Sequence, residues 1–257
     1  MKRLFPALLL LIAAFAAHAQ TTLRIAAAAD LTPVLPPILT EFEHTTGIHV
    51  EATFQASAML TTQIQNGAPF DVFLSADLGY PKKLIDAGLA DAAGLKGSST
   101  PITYAKGTLV LWTRKDSKQP APSLDLLRSP DLKRLAIANP DRAPYGKAAV
   151  AALTSLKLYD VLKPRIVTAE NIAQTAQFVE SGNADAGLIS LTSAMTPQLS
   201  SSGSYFVIAR DLYPPIEQGA VIVTATKNRD AAHRFLDFLL SAPVQAELEK
   251  SGLTPAN

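Results

Sequence analysis

Three stretches decide the fold: LRIAAAAD (Leu23–Asp30), HVEATFQAS (His49–Ser57) and DVFLSADLG (Asp71–Gly79). Each is a short apolar run that ends in small or polar residues and then gives way to helical spacing. After the first, Pro33 and Pro36-Pro37 stand near a helix start, Ile38 and Phe42 keep helical spacing, and Thr46-Gly47 ends it. After the second, Ser57 reads as an N-cap before Leu60 and Ile64, and Asn66-Gly67 closes the helix. After the third, Leu78 to Ala87 reads as a helix closed by Gly88. Three strand–helix units in succession predict a parallel α/β sheet.

A β-rich segment from Thr103 to Thr113 follows, then the polar, Pro-rich connection Ser117–Pro122. A second series comes next: strands at Leu135–Ala138, Ile166-Val167 and Ala186–Leu191, with helices at Tyr145–Leu156 and Ile172–Val179. Tyr205–Ala209 and Ala220–Thr226 read as strands, and the C-terminal stretch carries Phe235, Phe238, Leu239, Val244 and Leu248 at helical spacing. The economical expectation is two α/β lobes with parallel-rich sheets flanked by helices and a ligand cleft between them.

The first residues read differently. Lys2-Arg3, an apolar run of about fourteen residues from Leu4 to Ala17, and Ala17-His18-Ala19 form a secretory signal with cleavage expected after Ala19. The run is shorter than the ~20 residues that span a bilayer. The expected organisation is therefore a signal peptide over 1–19, one lobe from 20–104 plus 214–257, and a second lobe from 105–213. The mature chain is expected outside the cytoplasm, in the periplasm, without membrane insertion.

The 257 residues hold 23 Lys+Arg and 22 Asp+Glu, and loss of Lys2 and Arg3 leaves 21 basic against 22 acidic groups, about −1. That balance argues against a nucleic-acid partner. With no Cys, thiolate metal sites, disulfides and a cysteine nucleophile are excluded. The four His are scattered, and no G-x-S-x-G, H-E-x-x-H, P-loop or G-x-G-x-x-G is present. Catalysis has no support in the residues, and no cofactor is expected.

What recurs is a strand, a short turn with a small or polar residue, and a helix N-terminus: at Ala28–Asp30, Gln55–Ala58, Ala143–Gly146 and Ala169–Ile172. Helix N-termini present free N–H groups and the positive end of the dipole, so several together can hold an anion. Every α/β fold has such turns, however, and a Ser or Asp there also serves simply as a cap. Both readings stand on spacing alone.

The stretches Ala26–Thr32, Phe54–Ser57 and Gln63–Asp77, the segments Asn139–Gly146 and Ala169–Ile172, and the Gly-Ala-Val-Ile-Val run at Gly219 resemble the periplasmic molybdate-binding proteins of ABC importers. The resemblance covers essentially the whole mature chain, and its most specific block is GAPFDVFLSAD, residues 67–77. It implies a two-lobed binding protein of the class II type that closes over a tetrahedral oxyanion, molybdate or tungstate. Neutral hydrogen bonds would hold the anion, and an ABC permease would receive it from a monomeric carrier.

On the same resemblance Ser57 falls on a serine ligand, Tyr145 and Ile172 on backbone N–H donors, Asp30 on a first-turn position that is commonly Ser or Asn, and Ser190 where some members have a ligand Tyr. Were the ligand molybdate, these same five residues would hold the metal, by hydrogen bonds to its oxygens. Asp30 and Ser190 depart from the family pattern. The favoured expectation for Asp30 is that its carboxylate caps its own helix; the other is that it accepts a proton from a protonated oxyanion. These departures keep sulfate, phosphate or a small organic anion open as alternative ligands, with a hydrolase or transferase on the same scaffold as a remote one.

Overall fold

The computed structural model describes residues 22–92 and 99–256, so the expected signal peptide lies outside the described residues. Twelve strands are formed: β1 Thr22–Ala28, β2 His49–Gln55, β3 Val72–Ser75, β4 Ala90–Ala92, β5 Ile102–Gly107, β6 Leu109–Arg114, β7 Leu135–Ala138, β8 Ile166–Ala169, β9 Ala186–Ser190, β10 Gly203–Val207, β11 Ile216–Val223 and β12 Thr254–Pro255. The helices are α1 Leu35–Thr46, α2 Ser57–Gln65, α3 Gly79–Asp86, α4 Pro144–Ser155, α5 Tyr159–Leu162, α6 Ile172–Glu180, α7 Leu191–Ala194, α8 Pro197–Ser202, α9 Arg229–Leu239 and α10 Ala242–Lys250.

The strands make two sheets. The first runs β12-β5-β11-β3-β1-β2, with β4 also on β11; the second runs β10-β6-β9-β7-β8. β1 pairs in parallel with β2 and β3, and β7 in parallel with β8 and β9, whereas β11 and β6 are antiparallel to their neighbours. The inner parallel strands β3, β7 and β9 are nearly continuous apolar runs because both faces are covered, whereas the edge strands β2 and β8 are only partly buried. On the first sheet Phe42 of α1 packs with Phe235 of α9, while Leu60 and Ile64 of α2 and Leu84 of α3 cover the other face. On the second, Tyr145, Ala149 and Leu153 of α4 fill one side, and Ala176 and Val179 of α6 the other. The result is two α/β lobes.

The segment read as one β-rich stretch, Thr103–Thr113, is two strands in different sheets: β5 stays in the first sheet to Gly107, and β6 starts the second at Leu109. The boundary expected at 104/105 thus falls inside β5. The chain returns to the first sheet between β10 and β11. The crossings are tied together, since Leu109 N–H donates to the Tyr213 hydroxyl at 3.1 Å and Ile208 N–H to the Leu109 carbonyl at 3.1 Å. Among the described residues, no helix is long and apolar enough to cross a membrane.

Candidate functional site

The functional turns all follow the carboxyl ends of parallel strands, where open α/β sheets form their ligand crevices. Asp30 follows β1, Ser57 follows β2, Ala76 follows β3, Tyr145 follows β7 and Ile172 follows β8. In register, Ala28 lies opposite Gln55 and Ala138 opposite Ala169, so successive turns stand side by side. Between the lobes they line a small cleft, with Ala28–Asp30, Ala56-Ser57 and Ala76 on one side and Ala143–Tyr145 and Asn171-Ile172 on the other. The centre of a water-sized sphere can sweep about 10 Å³ there, room for about one water. Pockets for organic molecules run to ~300–1,000 Å³, so this narrow cleft is no such pocket.

Its polar equipment is three helix N-termini and one hydroxyl. α2 begins at Ser57, α4 at Pro144 and α6 at Ile172. The first N–H groups of a helix have no partner inside it. The next ones are already engaged: Ala58 N–H on the Arg142 carbonyl, Gly146 N–H on the Ala143 carbonyl, and Gln174 N–H on the Asn171 side chain. The N–H groups of Ser57, Tyr145 and Ile172 therefore remain for a ligand, each at the positive end of a helix dipole. Ser57 is the first helical residue and not the N-cap, which is Ala56. Its Oγ accepts from Ala76 N–H at 3.2 Å, which fixes the rotamer and leaves the hydroxyl proton to donate.

Asp30 is the exception to this neutral set. It sits in a 3-10 turn, Ala29–Leu31, whose N-cap is Ala28, and its carboxylate caps no helix. The favoured expectation is thus corrected: the turn is too short to offer the side chain a row of free N–H groups. Instead Asp30 Oδ2 accepts hydrogen bonds from the Tyr145 hydroxyl at 3.2 Å and from Gln218 Nε2. Burial pushes the Asp30 carboxyl from 3.8 up to about 6, against the hydrogen bonds from Gln218, Tyr145 and its own backbone. Burial and the Asp30 charge together hold the phenols of Tyr104 and Tyr145 well above their ordinary value, so both stay neutral. A carboxylate and one negative charge ~4 Å apart repel by about 4 kcal/mol at intermediate dielectric. An ionised Asp30 opposes an anion in this cavity.

Ser190 does not line the cavity. It is fully buried, caps the short α7 by accepting from Ser193 N–H at 3.3 Å, and lies 2.9 Å from the Thr192 hydroxyl. Thr192 in turn donates to the Asp30 carbonyl at 2.8 Å, so Ser190 touches the site only through its neighbour. Further bonds join the lobes: Ala58 N–H to the Arg142 carbonyl at 3.1 Å and Tyr80 hydroxyl to the Asp141 carbonyl at 3.2 Å. The resemblance marked only the Tyr145 backbone, and nothing marked Gln218. The one signal for Gln218 is the polar pair Glu217-Gln218 ahead of the apolar GAVIV of β11, where the pairing with β5 slips between Gln218 and Gly219. No His, Asp or Glu cluster able to hold a metal ion occurs among the described residues.

Comparison with known proteins agrees with this geometry. Residues 23–254 match the family described as bacterial extracellular solute-binding protein. The molybdate-binding protein ModA of Azotobacter vinelandii is 40% identical over 95% of this chain and 92% of its own. That of Rhodobacter capsulatus is 36% identical over 88% of this chain and 86% of its own. The solved structure of an Azotobacter vinelandii periplasmic molybdate-binding protein superposes with a TM-score of 0.83 at 32% identity, covering 91% of this chain and all of that one. The chain belongs to the bacterial extracellular solute-binding proteins, in the company of the molybdate-binding members.

Proposed function

We propose that this protein captures a tetrahedral oxyanion, molybdate or tungstate, outside the cytoplasm and presents it to the transmembrane subunits of an ABC permease. The observation that carries the reading is the convergence of three helix N-termini and the Ser57 hydroxyl on the small cleft between the lobes. Ser57, Tyr145 and Ile172 contact the anion's oxygens by hydrogen bonds, Asp30 borders it, and Ser190 supports the Asp30 turn. The relatives named as molybdate-binding proteins support molybdate as the cargo. The protein works as a monomeric carrier, not as an enzyme, with the two crossings near Thr108 and Tyr213 as its hinge. It is exported to the periplasm by its N-terminal signal.

A second reading keeps the site and changes the anion. The buried acid Asp30 favours a species that brings its own proton, such as hydrogen phosphate. Thermal unfolding with molybdate, tungstate, sulfate and phosphate separates the two. A ligand at ~1,000 times its Kd adds about 4 kcal/mol of stability. A shift with molybdate or tungstate and none with phosphate is expected; the reverse pattern overturns the molybdate assignment.

A further inference from the structure

The described residues contain four buried side-chain polar atoms without a hydrogen-bond partner, and two of them, Asp30 Oδ1 and Gln218 Oε1, belong to a single bonded pair. Gln218 donates Nε2–H to Asp30 Oδ2, so the carboxyl and the amide already meet along one edge. The two leftover atoms are both acceptors. One proton on Asp30 Oδ1 supplies the donor that this pair lacks and removes the only formal charge among the residues that line the cavity.

Among the described residues, no cation acts on Asp30 in place of that proton. Its turn packs against β2, α6 and α7, and Asp30 itself meets the Gln218 amide of β11, the Tyr145 phenol of α4 and the Thr192 hydroxyl of α7. Tyr104 of β5 and Tyr145 lie close enough to feel the Asp30 charge, and both are neutral phenols with no positive charge to give.

We propose that oxyanion capture by this protein is coupled to the uptake of one proton by Asp30, so that the binding-competent site is the one in which Asp30 is a carboxylic acid held by Gln218. Solvent supplies the proton, which sits on Asp30 Oδ1 and is released with the anion. The inference rests on the oxyanion reading above and adds a pH dependence to it. Burial, even against the hydrogen bonds to the carboxylate, already brings the Asp30 carboxyl to about 6, and an anion in the cavity pushes it higher. Affinity is then greatest in mildly acid surroundings and falls about tenfold per pH unit once the free site is ionised.

Titration calorimetry of the full mature chain with sodium molybdate, at pH 6 and pH 8.5 and in buffers of different ionisation enthalpy, counts the protons directly. Uptake close to one proton per anion is expected at pH 8.5 and about half a proton at pH 6. Asp30→Asn carries the uncharged shape, so it takes up none and binds with the same Kd at both values; Asp30→Ser serves if the Asn variant misfolds. Tight molybdate binding by the wild-type chain with no proton uptake overturns the coupling and leaves the oxyanion reading intact. An absence of molybdate binding by every form at both pH values overturns the molybdate assignment, and the coupling to molybdate capture with it.

Discussion

The Tyr145 hydroxyl donates a hydrogen bond to Asp30 Oδ2 at 3.2 Å, joining residues from opposite lobes across the floor of the cavity. Tyr145 thereby does two jobs. Its backbone N–H opens α4 toward the cleft, and its phenol, buried to 1% exposure, clamps the turn after β1. Gly107 makes room for this, because a Cβ there would lie 2.2 Å from the Tyr145 oxygen. The crossing from the first sheet to the second is thus shaped by the residue that closes the site.

Replacing Tyr145 by Phe keeps the backbone donor and removes the clamp. Hydrogen bonds to charged groups contribute about 1.5–3 kcal/mol, and those between neutral groups about 1. The expected result is a tenfold or greater loss of oxyanion affinity near neutral pH, with a less compact free protein in small-angle scattering. Unchanged affinity would show that the clamp adds nothing to closure.

On the proposed reading, Ser57→Ala deletes the one side-chain donor that meets the anion. A hydroxyl bonded to a charge is worth about 2 kcal/mol, so calorimetry should read a ~30-fold weaker Kd. The same change strips Ala76 N–H of its acceptor, which adds a stability cost of about 1–3 kcal/mol in the ligand-free protein. Urea unfolding without ligand separates the two effects.

Gly146→Ala tests how closely α4 must approach β7. In an open helix the change would stabilise by up to about 1 kcal/mol. Here the new Cβ would stand 2.3 Å from the Ala138 carbonyl oxygen, a backbone atom that cannot swing aside. Overpacking of this kind costs about 1–3 kcal/mol. The variant should melt several degrees lower and bind the oxyanion more weakly, because the Tyr145 N–H moves with the helix.

Much of this was legible in the residues. Leu23–Asp30, His49–Ser57 and Asp71–Gly79 do form strand–turn–helix units, since apolar runs bounded by small residues and helical spacing are local signals. The division of Thr103–Thr113 between two sheets was not, because the single break Lys106-Gly107-Thr108 also reads as an irregularity inside one strand, and the change of partner strand leaves no local mark. Turn position marked only the neighbourhoods of Ser57, Tyr145 and Ile172, and the resemblance singled out those residues; Asp30 borders the cleft, but its carboxylate meets partners other than the helix cap expected for it. Its true partners, Tyr145 and Gln218, lie 115 and 188 residues away. Pairings at that distance are set by packing, and no spacing rule reports them. Asp71, in the most specific block of the chain, turns out to bond Arg24 N–H at 2.7 Å and the side chains of Thr226 and Asn228, fastening β1 and β11 to the block and not touching the anion.

Asp30 also leaves a signature on stability that needs no ligand. Its carboxyl rises from 3.8 to about 6 on folding, so the folded chain holds this proton more tightly than the unfolded one. The contribution is fully present below pH 3.8 and is lost as pH climbs through about 6. At 1.36 kcal/mol per unit the loss amounts to about 3 kcal/mol by neutral pH. Asp30→Asn has no such proton to lose. In anion-free buffer its unfolding free energy should exceed the wild-type value by about 3 kcal/mol at pH 7.5, and the gap should narrow to less than about 1 kcal/mol at pH 4. All other titrating groups are common to both proteins, so the difference isolates this carboxyl. Two urea-unfolding curves that keep a constant separation from pH 4 to 7.5 would mean that Asp30 is ionised at little cost, and that some donor other than a proton meets its Oδ1.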